Sequence, residues 1–153
     1  MSTKTIIISF LVFVLTIVGI SVALTSTQKT PQKKAVVAEN IFDFGEIKVS
    51  DVKETEFVLK NTGTKPLQIL NINSSCNCTV GKISYNNSLS KEYGMHAQSG
   101  YLMDIAPNTQ AKIIVIYRPA VMPVYGYVER EVYVTTNDPQ REKIVFAIKA
   151  NVR

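Results

Sequence analysis

Tyr-Val-Glu-Arg-Glu-Val-Tyr-Val-Thr-Thr, residues 127–136, decides the fold class because its apolar and polar positions alternate. Three valines share one parity, while two glutamates and a tyrosine share the other (Val128, Val132 and Val134; Glu129, Glu131 and Tyr133). Successive side chains of a strand point to opposite faces, so this pattern predicts a strand with one buried face.

The same period of two continues on both sides of this stretch. After the turn residues Asn137-Asp138-Pro139, five apolar residues occupy alternate positions of a last strand (Ile144, Phe146, Ile148, Ala150 and Val152). Upstream, residues 53–60, 67–73 and 111–118 read as further strands. About seven short strands, with turn residues roughly every ten positions, predict an all-β antiparallel β-sandwich.

The N-terminal segment has a different character. Ile6–Leu24 is a run of nineteen residues without a charge, and as a helix it would span about 28 Å, close to the thickness of a bilayer core. This length favours an uncleaved membrane anchor that enters the lipid bilayer through residues 6–24. A signal peptide remains the alternative, since Ser21-Val22-Ala23 fits a cleavage site after Ala23.

The orientation of this segment rests on two opposing signals. Lys29, Lys33 and Lys34 follow the apolar run and oppose export under the positive-inside rule. An apolar run directly after a very short basic start, here Lys4, is nevertheless the usual export signal. We therefore expect a single-pass protein of the cell membrane with its domain on the extracytoplasmic side, or an exported domain if the leader is cut. The predicted divisions are an anchor or signal peptide at 1–24, a flexible linker at 25–35 and the β-sandwich at 36–153.

The charge is concentrated near the predicted anchor. The formal net charge is +5, with 17 basic and 12 acidic residues. Four of the lysines precede Val36, which leaves 13 basic against 12 acidic residues in the remainder. No basic stripe with interleaved aromatic residues occurs in the sequence, so nucleic-acid binding is not expected.

Cys76-Asn77-Cys78 contains the two cysteines of the chain. If the strand that begins near Leu70 continued to Val80, both thiols would project from one side, with Cα atoms about 6.6 Å apart. That separation is near the upper limit for a disulfide, so it favours a reduced pair that binds a soft metal over a disulfide bond. The alternatives are two small core residues or an oxidised, strained pair.

A metal site would need further ligands from elsewhere in the chain. Met95 and His96 lie in a long predicted loop, residues 84–100, and His96 is the single histidine. Two thiolates with a thioether and an imidazole suit Cu(I), and the thiolates with His96 could bind Zn(II). The predicted metal ligands are therefore Cys76, Cys78, His96 and Met95, although a solvated His96 is the simpler reading.

Five sequence blocks together resemble a bacterial family known as domain of unknown function 1573. They are Phe42-Asp43-Phe44-Gly45-Glu46-Ile47, Phe57-Val58-Leu59-Lys60-Asn61-Thr62-Gly63, Ser75-Cys76-Asn77-Cys78-Thr79-Val80, Ile105-Ala106-Pro107 and Thr135-Thr136-Asn137-Asp138-Pro139. The resemblance implies a single Ig-like sandwich, similar to ASH and major-sperm-protein modules, in exported or membrane-tethered proteins. It implies no catalytic residue. This chain departs from the family pattern by an insertion that carries Gly94-Met95-His96 and by Met122-Pro123-Val124-Tyr125-Gly126.

The tyrosines bear on function because they suit binding surfaces. Five of them fall in or near predicted loops (Tyr85, Tyr93, Tyr101, Tyr125 and Tyr127); we expect ordinary half-buried strand aromatics, with a binding surface as the alternative.

No phosphate loop or nucleophile elbow occurs in the sequence, which argues against an enzyme. The expected function is a non-enzymatic module that binds another envelope protein. The alternatives are a soft-metal binder and, more remotely, a protein that cycles Cys76 and Cys78 between dithiol and disulfide.

Overall fold

The computed structural model describes residues 32–96 and 100–153, which lie in one compact unit. Ten strands and one short 3-10 helix make up this part of the chain. In order they are β1 (Ala35–Val37), β2 (Ile41–Ile47), β3 (Lys53–Asn61), β4 (Leu67–Ser74), β5 (Thr79–Tyr85), β6 (Ser88–Leu89), β7 (Met103–Ile105), β8 (Gln110–Tyr117), the 3-10 helix Pro119–Val121, β9 (Gly126–Thr136) and β10 (Lys143–Val152).

The strands form two five-stranded sheets that pack face to face. One sheet has the order β1-β3-β8-β5-β6, and the other has the order β2-β10-β9-β4-β7. The predicted alternation is confirmed in β9, where Val128, Val132 and Val134 are buried. Side chains from the inner faces of both sheets form one core, in which the rings of Phe57 and Phe146 lie 5.2 Å apart. The all-β fold class is therefore confirmed.

Two parts of the predicted architecture need correction. The described residues contain ten strands rather than about seven, because short strands such as β1, β6 and β7 add to the sheet edges. The sheets are also not purely antiparallel, since β2 pairs in parallel with β10. A period of two fixes which face of a strand is buried but carries no information about the direction of its neighbour.

One end of the sandwich receives the segment that precedes β1, and we call it the tether end. Ala35 is paired with Asn61, and the amide of Thr62 donates to the carbonyl of Lys34 at 2.9 Å. Residues 32–34 also lie directly on Gly63, where a Cβ atom would come within 2.7 Å of the Lys34 nitrogen. The turns 62–66, 106–109 and 137–142 close this end. Residues 32–35 therefore form part of the packed domain, whereas the predicted domain boundaries stay predictions.

The opposite end carries the two cysteines, and we call it the loop end. Tyr117 at the end of β8 is paired with Lys53 of β3 and with Thr79 of β5. Ser74 at the end of β4 is paired with Val132. The loop end thus comprises the turn 48–52, the cysteine turn 75–78 and the connection 118–125. With eleven residues in β9, the two ends are about 36 Å apart.

Part of the predicted long loop is a hairpin. Asn86 and Asn87 have φ values of 49° and 62°, as the two central residues of a tight two-residue hairpin turn require. The returning arm places Tyr93 beside Gly81, with two backbone hydrogen bonds of 2.9 Å. The chain then passes Gly94 and later rejoins the other sheet, where the amide of Gly100 donates to the carbonyl of Leu70.

The predicted anchor at residues 6–24 lies outside the described residues. Within the described ranges, no helix has both the length and the apolar character needed to span a bilayer.

Candidate functional site

The cysteines lie in a turn and not in a strand. β4 ends at Ser74 and β5 begins at Thr79, so the predicted strand through Leu70–Val80 is wrong between these residues. The turn brings the Cα atoms of Cys76 and Cys78 to 5.3 Å, and the two sulfurs are joined in a disulfide. The extended-strand expectation of about 6.6 Å failed because this segment has to cross from one sheet to the other. Of the readings left open for the pair, the oxidised one is present.

Hydrogen bonds on both sides hold the cysteine turn. The Ser74 hydroxyl donates to the Cys76 carbonyl at 2.8 Å, and the Arg118 amide donates to the Cys78 carbonyl at 2.8 Å. The Thr79 hydroxyl lies 3.4 Å from the Cys76 sulfur, and since a disulfide sulfur carries no hydrogen, the hydroxyl is the donor. Cys78 is 1% exposed and Cys76 is 9% exposed, whereas Asn77 between them faces solvent. The turn therefore buries both sulfurs and leaves the side chain of Asn77 exposed to solvent.

A groove of about 640 Å³ lies beside this turn. Asn77 forms part of its wall, and the rest comes from residues 91–96 and 100–102, which include the inserted Gly94-Met95-His96. These further lining residues are Lys91, Glu92, Tyr93, Gly94, Met95, His96, Gly100, Tyr101 and Leu102. The insertion that distinguishes this chain from the family pattern therefore builds most of the groove.

Glu92 is fixed within the groove wall by two cations. Its carboxylate accepts two hydrogen bonds from the Arg118 guanidinium, at 2.8 and 3.0 Å, and lies 3.5 Å from the Lys82 ammonium. The hydrogen bonds from Arg118 lower the pKa of Glu92, and the same contacts raise the pKa of Arg118. The Lys91 ammonium lies 5.5 Å from the centre of the Tyr93 ring, within the range of a cation–π contact.

The four predicted metal ligands are only partly brought together. Met95 and His96 line the groove whose wall includes Asn77, so the inserted segment does come near the cysteine turn. The disulfide sulfurs are buried, however, while Met95 and His96 are exposed. No group of three His, Cys, Asp or Glu side chains suited to a metal occurs in the described part of the chain. The metal set stays a prediction for the reduced protein.

Three tyrosines are more exposed than the sequence suggested. Tyr85 and Tyr93 are half-buried as expected. The expectation is wrong for Tyr101, Tyr125 and Tyr127, which are 61%, 67% and 90% exposed. The alternative reading of these residues as a binding surface is the one that fits their exposure. For Tyr127 the alternation itself carried the signal, since this residue has the parity of Glu129 and Glu131; Tyr101 and Tyr125 lie outside any regular strand pattern.

The connection between β8 and β9 exposes further apolar side chains. We call residues 121–127 the apolar loop; its exposed members are Val121, Met122, Val124, Tyr125 and Tyr127. Met122 is 47% exposed and so does not pack over the core. Val52, in the turn 48–52 at the same end, is 63% exposed. Exposed apolar residues scattered singly are ordinary, but a continuous group marks an interaction surface.

Comparison with protein families supports the resemblance drawn from the sequence blocks. Residues 21–94 match the family described as protein of unknown function (DUF1573). The recognition is confirmed over this part, which includes three of the five blocks and ends at the inserted segment. No protein with a curated description matches the chain.

Solved structures similar to this chain share its fold at low sequence identity. A protein of unknown function from Porphyromonas gingivalis has a TM-score of 0.61 and 13% identity, over 82% of this chain and 50% of that chain. An ASH/PapD-like domain of human CEP192 has a TM-score of 0.51 and 14% identity, over 84% of this chain and 92% of that domain. A family 123 glycoside hydrolase from Clostridium perfringens has a TM-score of 0.54 and 12% identity, over 79% of this chain and 27% of the enzyme.

These likenesses concern the fold alone. The chain has an Ig-like sandwich, and it spans about half the length of the Porphyromonas gingivalis protein. The same sandwich also occurs as a part of enzymes. Function therefore has to be argued from the surface of this chain.

Proposed function

We propose that this chain is a non-enzymatic binding module, tethered to the membrane through residues 6–24 with its domain on the extracytoplasmic side. It binds another envelope protein through the apolar loop. The single observation that carries the proposal is the concentration of exposed apolar side chains within residues 121–127.

The apolar loop has the composition of a protein-binding surface. Tyrosine and methionine are enriched at interfaces because each supplies a large contact area, and tyrosine loses little side-chain freedom when it binds. Burial of such side chains contributes about 25 cal/mol for each Å² of apolar surface removed from water. Leaving them in water is unfavourable, so their exposure fits a surface that is covered when a partner binds.

The position of the loop favours a protein partner over the supporting membrane. Residues 32–35 enter the domain at the tether end, where the backbone of Lys34 and Thr62 is hydrogen-bonded. The apolar loop is at the opposite end, about 36 Å away along the strands. The apolar loop therefore lies at the end of the domain that is remote from the entry of residues 32–35, where a partner can reach it.

Site-specific photo-crosslinking tests this proposal. A photoreactive residue at Tyr125 of the full-length chain in the native cells should give a discrete protein adduct. The same residue at Gln140, in the exposed turn 137–142 of the tether end, is the matched control and should not give that adduct. Substitution of Val121 and Val124 by serine should remove the Tyr125 adduct while the domain stays folded. An adduct with lipid, or an adduct that survives the serine substitutions, would contradict the proposal.

A soft-metal function for the reduced protein is a second candidate. The observation that favours it is that Met95 and His96 line the same groove as Asn77, the residue between the cysteines. A dithiol reductant would supply two electrons and two protons to the disulfide and become oxidised itself; the two thiols would then lose protons on binding Cu(I). Anaerobic titration of the reduced full-length chain with Cu(I) against a competing chelator tests this. Uptake that is unchanged by Cys76→Ser with Cys78→Ser would overturn it.

A further inference from the structure

The groove beside the cysteine turn has a chemistry that binding through the apolar loop does not use. We propose that this groove binds a glycan that carries a carboxylate, with a sugar ring against Tyr101 and the carboxylate at Lys91. The proposal concerns a different surface from the apolar loop and does not depend on it.

The aromatic side chains of the groove suit the apolar face of a sugar. A pyranose ring has a face of C–H groups that packs against an aromatic ring, while its hydroxyls point to the sides. Tyr101 is 61% exposed, and Tyr93 lines the same groove. An exposed tyrosine at the mouth of a groove is a rigid, amphipathic platform for such contact.

The charge of the groove favours an anionic ligand. Lys91 and Glu92 both line the groove, and the Glu92 carboxylate is neutralised by Lys82 and Arg118. Arg118 and Lys82 both contact Glu92, whereas Lys91 lies over the Tyr93 ring and has no carboxylate partner among the described residues. The excess positive charge is local, because the chain after Val36 is nearly neutral.

Asn77 supplies a neutral polar group at a restrained position. Its amide offers both a donor and an acceptor, which matches the hydroxyl and acetamido groups of a sugar. The flanking residues Cys76 and Cys78 are joined covalently, and their carbonyls are each hydrogen-bonded at 2.8 Å. A group fixed before binding loses less conformational entropy when a ligand binds. The role of the disulfide in this proposal is to restrain the position of Asn77.

The combination selects a carboxylated glycan over simpler ligands. A free phosphate has no apolar face to place against Tyr101, and an apolar peptide would gain nothing from Lys91. The volume of about 640 Å³ lies within the roughly 300–1,000 Å³ typical of small-molecule sites.

Two sugars that differ by one carboxylate provide the test. N-acetylmuramic acid and N-acetylglucosamine share an acetamido pyranose, but only the first carries a lactyl carboxylate. Ligand-observed NMR titration of the full-length chain in micelles should show binding of N-acetylmuramic acid at least several-fold tighter. The preference should weaken as salt is raised, because the groove is exposed.

Matched variants connect the binding to the groove. Lys91→Gln should weaken binding of N-acetylmuramic acid by about tenfold, as expected for loss of a charge-assisted hydrogen bond, and Lys65→Gln at the tether end should leave it unchanged. Tyr101→Ala should also weaken it by about tenfold, whereas Tyr125→Ala, an equally exposed tyrosine of the apolar loop, should not. Equal binding of both sugars, no binding of either, or indifference to Lys91→Gln would overturn the proposal.

The protein-binding proposal and the glycan proposal fail separately. Tyr125→Ala affects the apolar loop and not the groove, and Tyr101→Ala affects the groove and not the apolar loop. A chain that binds the carboxylated sugar but forms no adduct from Tyr125 contradicts only the protein-binding proposal, and the reverse result contradicts only the glycan proposal.

Discussion

The tether end and the loop end of the sandwich differ in what they bury and what they expose. At the tether end, Asp138 is 1% exposed, and its two carboxylate oxygens accept hydrogen bonds from the amides of Ala35 and Gln140. Asn61 is fully buried there, and its amide nitrogen donates to the carbonyls of Lys65 and Ile105. At the loop end, the side chains of the apolar loop face solvent. The tether end encloses the segment 32–35, whereas the loop end exposes apolar side chains.

This difference corresponds to the positions of the family blocks in the fold. Asn61-Thr62-Gly63 and Thr135–Pro139 both belong to the tether end, and both contact the segment 32–35. The Asp43 carboxylate accepts the amide of Gly45, which has a φ of +66°, and this fixes the irregular edge strand β2. These blocks shape and attach the domain. The residues by which this chain departs from the family pattern lie at the groove and the apolar loop.

The largest expected effect comes from breaking the tether end with Asp138→Ala. This substitution leaves the buried amide of Ala35 and the partly buried amide of Gln140 without their acceptors. The free energy of unfolding should fall by about 2–4 kcal/mol, since an unsatisfied buried group costs about 1–3 kcal/mol. Urea denaturation measures the change, and hydrogen exchange at Ala35 should increase. Asp138→Asn retains one acceptor, so its free energy of unfolding should lie between those of the parent chain and Asp138→Ala. The control is Asp104→Asn, at an exposed carboxylate. A loss of stability in the control as large as that in Asp138→Ala would contradict the argument.

Opening the disulfide at the loop end should cost less. The ring between Cys76 and Cys78 is very short, and loop entropy gives a contribution of about 1–2 kcal/mol for such a ring, below the usual 2–4 kcal/mol. Reduction by a dithiol, or paired Cys76→Ala and Cys78→Ala, should therefore leave the domain folded at 25 °C, because the core between the sheets remains. Circular dichroism and urea denaturation of both forms measure this. Global unfolding on reduction would show that the two ends are not independent.

Much of the fold could be predicted from the sequence, but the site could not. The period-two pattern in β9 and β10 identified the buried face of each strand, because burial on one side leaves that signature. The cysteine turn was assigned to a strand since β-compatible residues flank it on both sides, and the change of sheet is a long-range event. The parallel direction of β2 beside β10 likewise left no signal in the sequence pattern. Two asparagines at positions 86 and 87 did carry a turn signal that could have been recognised.

The groove and the apolar loop depend on tertiary placement. Tyr85 and Tyr101 are the same residue type in similar local surroundings, yet the Tyr85 hydroxyl lies 3.0 Å from the Thr109 hydroxyl while the Tyr101 side chain is exposed. Nothing local distinguishes them. Asn77 is exposed in the turn that the disulfide of its neighbours closes, and the sequence pattern did not indicate this turn.

A smaller change in stability is expected from Tyr117, which lies in the interior of the loop end. Tyr117 is fully buried, and its hydroxyl has no hydrogen-bond partner in the described part of the chain; burial raises the pKa of Tyr117. Tyr117→Phe removes a desolvated hydroxyl and keeps the ring, so the free energy of unfolding should rise by up to about 1 kcal/mol. Urea denaturation measures the gain. The control is Tyr85→Phe, which loses the contacts of its hydroxyl with Thr109 and with the Ala106 amide and should be destabilised. A loss of stability in Tyr117→Phe would mean that its hydroxyl has a partner.

The smallest effect concerns the ion pair that fixes the groove wall. Hydrogen bonds from Arg118 lower the pKa of Glu92 below its ordinary value of 4.5, so the carboxylate binds its proton less readily in the folded chain than in the unfolded one. The resulting stabilisation is present above pH 4.5 and is lost as the pH falls through the lowered value. Because Glu92 is more than a third exposed, solvent screening keeps the effect below about 1 kcal/mol. The difference in unfolding free energy between the parent chain and Glu92→Gln should therefore be measurable at pH 7 and shrink as the pH falls below 4.5. A Glu92 difference that stays the same at low pH as at pH 7 would contradict the role assigned to its charge.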